Sequence, residues 1–377
     1  MKPTILFVTD IPCWGGSTLS LRDLLTSIRD KINPIVIVYK KDTVYDYMIN
    51  NDIKCYVVSY SLSTFVNSHT CLLYPHFIYS SIKNYFLFRK GVKEIKSLFR
   101  DEKIDIVHSN TSAVDFGYKI AKVVGAKHIW HIREMLESFH NTYYVGGYSR
   151  LKKKMRDSDL LIFISNACAV YWGLNLLEKS KVVGDAVRSK SDTIYKKEKK
   201  KFFLFCSYEL SDFKGADVAI KAFGESGQSS KGYRLKMIGW IAPDYKVKLD
   251  SLSSQFGISD KIDYLGVVDS ILVKDYMSEA TAFLQCGEME GLGRTAIEAM
   301  FYGCPVIARN CGGTLDFINH QVTGFLWNSA EECSDDIRYV ATHDVNHIII
   351  NAQSFVTNKY SIENYGKEMI DIYNYLK

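Results

Sequence analysis

Short apolar, β-branched runs alternate with longer amphipathic segments along the chain. Thr4–Val8, Ile35–Val38, Ile104–Val107, His128–Trp130 and Leu160–Ile164 are short and nearly uniformly apolar, the pattern of strands buried on both faces of a parallel sheet. The rhythm restarts at Phe202–Cys206 and runs through Leu235–Ile238, Ile262–Leu265, Ala282–Leu284 and Val306–Ala308. Between the two series lies a lysine-dense stretch, Lys196–Lys201, opposed only by Glu198. The pattern therefore predicts two doubly wound α/β halves, residues 1–185 and 202–355, joined by a linker at 186–201. Apolar residues at helical spacing from Ile362 to Tyr375 make 356–377 a closing helix. Ligands on such sheets sit beyond the carboxyl ends of the strands, in a cleft when two halves face each other, so those loops are where chemistry is expected.

Composition narrows the function classes. A length of 377 residues with 47% hydrophobic and 24% charged residues suits two globular domains. A net charge of +5 is too mild to argue for nucleic acid, and no nucleic-acid partner is expected. The nine cysteines (Cys13, Cys55, Cys71, Cys168, Cys206, Cys286, Cys304, Cys311 and Cys333) are scattered and never spaced as C-x-x-C, which predicts reduced core thiols and no metal site. Met1–Val8 reads as a first strand and not as a leader, so a cytoplasmic location is expected. The apolar stretch Cys71–Phe88 is interrupted by Pro75, His76, Lys83 and Asn84, which argues against a membrane span. From Cys71 to Arg100, however, aromatic residues interleave with Lys83, Arg89, Lys90, Lys93 and Lys96. That mixture fits either a face lying on an anionic membrane or a helix buried in the first domain.

The most informative stretch runs from Glu288 through Glu290-Gly291-Leu292-Gly293-Arg294 and Glu298-Ala299-Met300 to Gly303-Cys304-Pro305-Val306. It reads as strand end, glycine loop, short helix and next strand. Gly291 and Gly293 allow close backbone approach, and the amides opening the helix form an anion site suited to a diphosphate. Glu290 falls at the helix mouth, and Glu298, inside the helix, can accept hydrogen bonds from vicinal hydroxyls such as those of a ribose.

With those residues in place, the chain resembles the family 4 retaining glycosyltransferases of GT-B fold, whose hallmark is two glutamates separated by seven residues in E-G-F-G-x-x-x-x-E-A-M-A-x-G-x-P-V. Leu292 stands where Phe is usual. The resemblance implies two Rossmann-like domains facing a central cleft, with the acceptor on the first and the nucleotide sugar on the second. It implies that Glu298 holds the ribose, that the Gly291–Arg294 backbone meets the sugar and phosphates, and that Glu290 contacts the donor sugar. Lys214-Gly215 resembles the family's K-G, whose lysine reaches the diphosphate. Glu209 stands where the family often has a second cation, and Arg294 is the candidate to replace it. Gly15-Gly16, after the first strand, resembles the glycine loop near the donor phosphates, and Gly312-Gly313 resembles the family's G-G-x-x-E, with Asp316 for Glu.

His131-Ile132-Arg133-Glu134 resembles an H-x-R-E of polysaccharide-assembly members, which makes His131 a catalytic candidate beside the donor sugar. Arg133, Glu134 and, more weakly, Asn110 become acceptor-side candidates. Asp157-Ser158-Asp159 looks like a metal-binding D-x-D but precedes a strand, at the wrong end of the sheet. No cofactor or obligatory metal is expected, since helix amides and basic side chains can stabilise the leaving diphosphate.

The expected activity is retaining transfer of a hexose-type sugar from a UDP- or GDP-sugar to a glycan or lipid-linked glycan. The setting expected is bacterial cell-surface polysaccharide assembly, with a peripheral contact with anionic membrane. A binding protein without turnover and a GT-B nucleotide-sugar epimerase are the alternatives.

Overall fold

The computed structural model describes residues 2–66, 73–136 and 142–377; Cys71 lies outside them. The chain divides into two compact units, Met1–Ala186 with Ile362–Lys377, and Val187–Ser361.

The strands of the first unit are β1 (Thr4–Val8), β2 (Asn33–Val38), β3 (Lys54–Val57), β4 (Thr64–Val66), β5 (Ile106–Ser109), β6 (Lys127–Ile132), β7 (Thr142–Tyr144), β8 (Leu160–Phe163) and β9 (Ser180–Val182). Among the described residues, seven form a sheet in the order β3-β2-β1-β5-β6-β8-β9, each neighbouring pair parallel. The antiparallel pair β4–β7 stands apart. Ile5, Leu6, Phe7, Ile106, Val107 and Ile162 are completely buried, which is why these strands are apolar on both faces. The sequence pattern starts the third strand at Ile104, whereas β5 begins at Ile106. The Asp105 carboxylate accepts the Thr4 amide at 2.9 Å, so ladder pairing starts one residue later.

The helix Ile362–Leu376 belongs to this unit and packs on the helix Gly16–Ile28, burying Tyr365, Met369, Ile372 and Tyr373. The approach is close enough that a Cβ on Gly366 would strike the Ser27 side chain. Residues 346–359 form a separate helix of the second unit, with Ile348, Ala352 and Val356 buried, so the returning segment starts at Ile362 and not at 356.

The second unit carries β10 (Lys200–Leu210), β11 (Arg234–Ile241), β12 (Ile262–Gly266), β13 (Ala280–Gln285), β14 (Val306–Arg309) and β15 (Phe325–Trp327). Their order is β12-β11-β10-β13-β14-β15, again parallel throughout. Its core joins Phe203, Phe205, Leu235, Met237, Leu284, Ile307 and Phe325 from the sheet to Ile220, Phe223 and Ile337 from the helices. Each such side chain contributes about 1.5–3 kcal/mol when fully buried.

The lysine-rich stretch read as a linker is anchored to this unit. Lys199 Nζ donates to the carbonyls of Ser278 and Gly303 at 2.8 and 2.7 Å. Lys196 and Lys200 flank Glu279 at 3.2 and 2.6 Å.

Candidate functional site

In the second unit the glycine-rich motif connects β13 to the helix Arg294–Phe301. Gly293 precedes the helix at φ 84°, a left-handed conformation that favours glycine. One face of the helix buries Ala296, Ile297, Ala299, Met300 and Phe301, while Arg294, Thr295 and Glu298 stay partly exposed. Leu292 is buried beside this face. The turn Gly312–Asp316, after β14, braces the motif. The Gly313 amide donates to the Glu290 carbonyl at 2.7 Å, a Cβ on Gly312 (φ 61°) would lie 2.5 Å from that carbonyl, and one on Gly313 would press on the Gly291 carbonyl. Gly312-Gly313 is therefore the surface against which the Glu290–Gly291 backbone is shaped.

Lys214-Gly215 reaches the same loop from the turn before the helix Ala216–Ser226. Gly215 (φ 73°) packs on the Cys286 carbonyl, 2.5 Å from where a Cβ would sit. Lys214 Nζ donates to Glu290 Oε1 at 2.6 Å, with both side chains part-exposed. Two positions singled out from sequence, 76 residues apart, are thus in contact. Glu298 pairs with Arg188, the guanidinium Nη2 lying 3.1 Å from Oε1. Arg188 Nε also donates to the Tyr302 hydroxyl, and the guanidinium lies over the Tyr302 ring at 5.7 Å. Burial pushes the nearby Cys206 thiol up to about 12, and the Glu298 charge adds to that.

Sequence reasoning missed Arg188 because it falls in the stretch read as a linker, where one arginine among lysines carries no distinguishing signal. Arg294 is the first residue of the motif helix. Glu209, where a cation is frequent in the family, is exposed on a β10 that runs past its predicted end, with a register shift between Cys206 and Glu209. Gly15 caps the helix Gly16–Ile28 in extended conformation, and Gly16 opens it with free space where a Cβ would point, nothing lying within 4 Å.

The first unit treats its candidates differently. His131, expected to be catalytic, is fully buried near the end of β6, its ring stacked 5.5 Å from His108 and tilted against Tyr365 at 6.5 Å. Among the described residues neither ring nitrogen finds a hydrogen-bond partner, and Nε2 lies 3.6 Å from Asp185. Burial, with the Arg133 charge, holds its pKa well below the usual histidine value. Strand alternation turned this side chain into the core, so it presents no surface to a sugar.

Arg133, expected to bind acceptor groups, is likewise consumed internally. Its Nε donates to Asp185 at 3.1 and 2.9 Å, Nη2 to Asp185 at 2.9 Å and to Ser20 at 3.2 Å, and Nη1 to the Asn110 carbonyl and side chain. Asn110 is buried and donates to the Ser17 carbonyl at 2.9 Å. Glu134 is only partly buried, and its Oε2 accepts the amide and hydroxyl of Ser112 at 3.0 and 2.7 Å.

Asp10, not anticipated, lies just past β1. It takes the Ser17 hydroxyl at 2.9 and 3.1 Å, and burial, reinforced by the Glu134 charge, pushes its pKa up to about 6. The strand-end rule that flagged Asn110 would also have flagged it. Asp157 and Asp159, the rejected D-x-D, pair with Lys122 and Lys127. Among the described residues no group of three His, Cys, Asp or Glu side chains is arranged to hold a metal ion.

Two parallel Rossmann-like units define the GT-B class of fold. The whole chain matches the crystal structure of Anabaena HepE in complex with UDP, with TM-score 0.78, 18% identity and complete coverage of both chains. Residues 187–358 match the family model of glycosyl transferases group 1, and this part of the chain is a domain of that family.

An uncharacterized glycosyltransferase of Methanocaldococcus jannaschii is 27% identical over 179 residues, 46% of this chain and 44% of that protein. The chain thus spans less than half the length of that curated relative. An uncharacterized 41.2 kDa protein in the cps region of Klebsiella pneumoniae is 23% identical over 318 residues, 75% of this chain and 84% of that protein.

Proposed function

We propose that the protein transfers a hexose-type sugar, with retention of anomeric configuration, from a UDP- or GDP-sugar to a glycan or lipid-linked glycan. The proposed setting is cell-surface polysaccharide assembly on the cytoplasmic face of the membrane. The observation that carries this reading is the Lys214–Glu290 pair at 2.6 Å on a glycine loop at a helix N-terminus. A part-exposed ion pair is worth at most about 1 kcal/mol, so an arriving diphosphate readily takes the lysine. Glu290 is then released to accept a donor-sugar hydroxyl, while the first amides of the helix Arg294–Phe301 receive phosphate charge. In this reading Glu298, held by Arg188, accepts the ribose hydroxyls. Because the departing phosphate oxygen can take the acceptor proton during front-face attack, the protein's task is to position both substrates and stabilise the leaving diphosphate, with no side-chain base required.

The relatives support the polysaccharide setting: one lies in a cps region, and a 28% identical Escherichia coli match over 123 residues is named a putative colanic acid biosynthesis glycosyltransferase. No described helix is long and apolar enough to cross a membrane. A peripheral contact is instead proposed for the helix Leu73–Leu98, whose inner side buries Ile95 while Ile78, Tyr79, Ile82, Tyr85 and Phe86 are exposed.

Calorimetric titration with UDP and GDP, followed by NMR assignment of the product anomer, tests the proposal. Binding of one nucleotide and an unchanged anomeric configuration are expected. Binding of neither would remove the donor assignment.

A further inference from the structure

A pocket of about 370 Å³ opens within the first unit, lined by none of the strand-end residues discussed above. Its walls come from the helix Leu73–Leu98 (Ser81, Asn84, Tyr85, Phe88), from Asp115 and Lys119, from Gly146 just after β7, and from the helix Tyr148–Asp157 (Arg150, Lys154). Asp115 is the one carboxylate among the described lining residues, and two of the cations that share the lining pair with it. Lys119 lies 3.1 Å from it and Lys154 donates to it, which together hold its pKa down at about 2 against the effect of burial. Two lysines already outweigh that single charge. Arg150 adds a third cation, exposed at the mouth, beside the hydroxyls of Ser63, Ser81 and Tyr85 and the amide of Asn84.

The surroundings of the pocket select the kind of anion. Tyr85 lines the pocket and is also 53% exposed. It forms the edge of a helical stripe, Ile78, Ile82, Tyr85 and Phe86, whose large apolar side chains are all exposed. Arg89, Lys93 and Lys96 continue that stripe along the helix. An apolar stripe bounded by cations fits the interfacial zone of an anionic bilayer, and a cationic pocket at its edge lies where headgroups would be.

We propose that this pocket binds the phosphoryl group of an anionic lipid headgroup, with the acyl chains lying along the Ile78–Phe86 stripe. This rests on the membrane contact proposed above but is independent of the transferase reading. Charge-assisted hydrogen bonds from Arg150 and Lys119 hold the phosphate oxygens, and Asn84 and Ser81 donate to the remainder.

The full-length protein is tested by flotation with three kinds of vesicle: phosphatidylcholine alone, with phosphatidylglycerol, and with a charge-matched carboxylate lipid, cholesteryl hemisuccinate. Phosphatidylglycerol vesicles are expected to bind best. Arg150→Gln, an exposed change that leaves the Asp115–Lys154 pair intact, is expected to lower that binding roughly tenfold, the order of one charge-assisted hydrogen bond. Binding to the carboxylate vesicles should hold. Equal wild-type binding to both anionic vesicles would overturn the pocket and leave the membrane reading standing. Binding to no vesicle would overturn both. Calorimetry with dihexanoyl phosphatidylglycerol and with inorganic phosphate separates the sources, and equal affinity for the two would overturn the lipid assignment.

Discussion

The second unit keeps Lys214, Glu290 and Arg188 on loops and Glu298 on the outer face of the motif helix, each partly in solvent, whereas the first unit seals His131, Arg133 and Asn110 into its core. All seven residues lie near the carboxyl ends of parallel strands or in the segments joining them. The difference is what surrounds the charge. A part-exposed ion pair can be exchanged for a ligand at little cost. A buried guanidinium that shares its donors among Asp185, Asn110 and Ser20 cannot be withdrawn without stranding a carboxylate in the core. Nearness to a strand end therefore locates candidates, and burial decides which of them can meet a substrate.

The largest expected effect tests the buried half of this contrast. Arg133→Met strands Asp185 and should destabilise the protein by about 3–5 kcal/mol, lowering Tm on the order of 10 °C. Thermal denaturation checks it. A wild-type Tm accompanied by lost acceptor affinity would return Arg133 to the substrate contacts.

The exposed half predicts the reverse pattern. Glu298→Ala and Lys214→Ala should each weaken donor binding roughly ten- to a hundredfold, as expected for lost charge-assisted hydrogen bonds, with Tm nearly unchanged. Glu290→Ala should chiefly slow turnover. Calorimetry with the donor nucleotide and steady-state kinetics separate these outcomes, and unaltered donor affinity in both of the first two variants would break the site assignment.

Asp10 sharpens the comparison through pH. Its folded pKa, about 6, lies above the ordinary aspartate value of 3.8 because of burial and the Glu134 charge. The folded state therefore holds the proton more tightly than the unfolded one. The stability this provides is fully present below about pH 4 and is lost as pH rises through 6, a change on the order of 3 kcal/mol. Asp115, with its pKa depressed to about 2, acts with the opposite sign, losing its contribution as pH falls from about 4 through 2. The two windows barely overlap. Asp10→Asn should flatten the stability profile between pH 4 and 6 in denaturant titrations, and an unchanged slope would show that Asp10 is not the group responsible.

Much of this architecture was legible because parallel strands buried on both faces leave continuous apolar runs. All ten such runs in the sequence became strands. The strands not foreseen, among them Lys54–Val57, Ser180–Val182 and Phe325–Trp327, lie at sheet edges, where short segments leave little pattern. The motif loop was legible because glycines and acids at fixed spacing answer to local backbone geometry, and the Lys214–Glu290 contact follows from it. Side-chain direction at the end of β6 was not legible, since period-two alternation only assigns a face and both faces of that sheet are covered. The role of Arg188 was hidden because its partners, Glu298 and Tyr302, lie more than a hundred residues away in sequence.

The smallest effect is expected at His131, and its smallness is informative. The ring is fully buried and makes no hydrogen bond among the described residues, and the 3.6 Å separation from Asp185 is too long for one. With its pKa held well below the usual value, it is a neutral polar ring in an aromatic setting of His108 and Tyr365. Replacing such a group by an apolar one of similar size removes a desolvation penalty while losing some packing, so the terms oppose each other. His131→Phe should change stability by less than about 1 kcal/mol and leave the pH–rate profile in place. A histidine touching the donor sugar would behave otherwise, losing turnover about a hundredfold at unchanged Tm, as for general acid–base residues. Kinetics and denaturation of this one variant therefore decide whether the first unit contributes a catalytic side chain from β6 or only the frame around it.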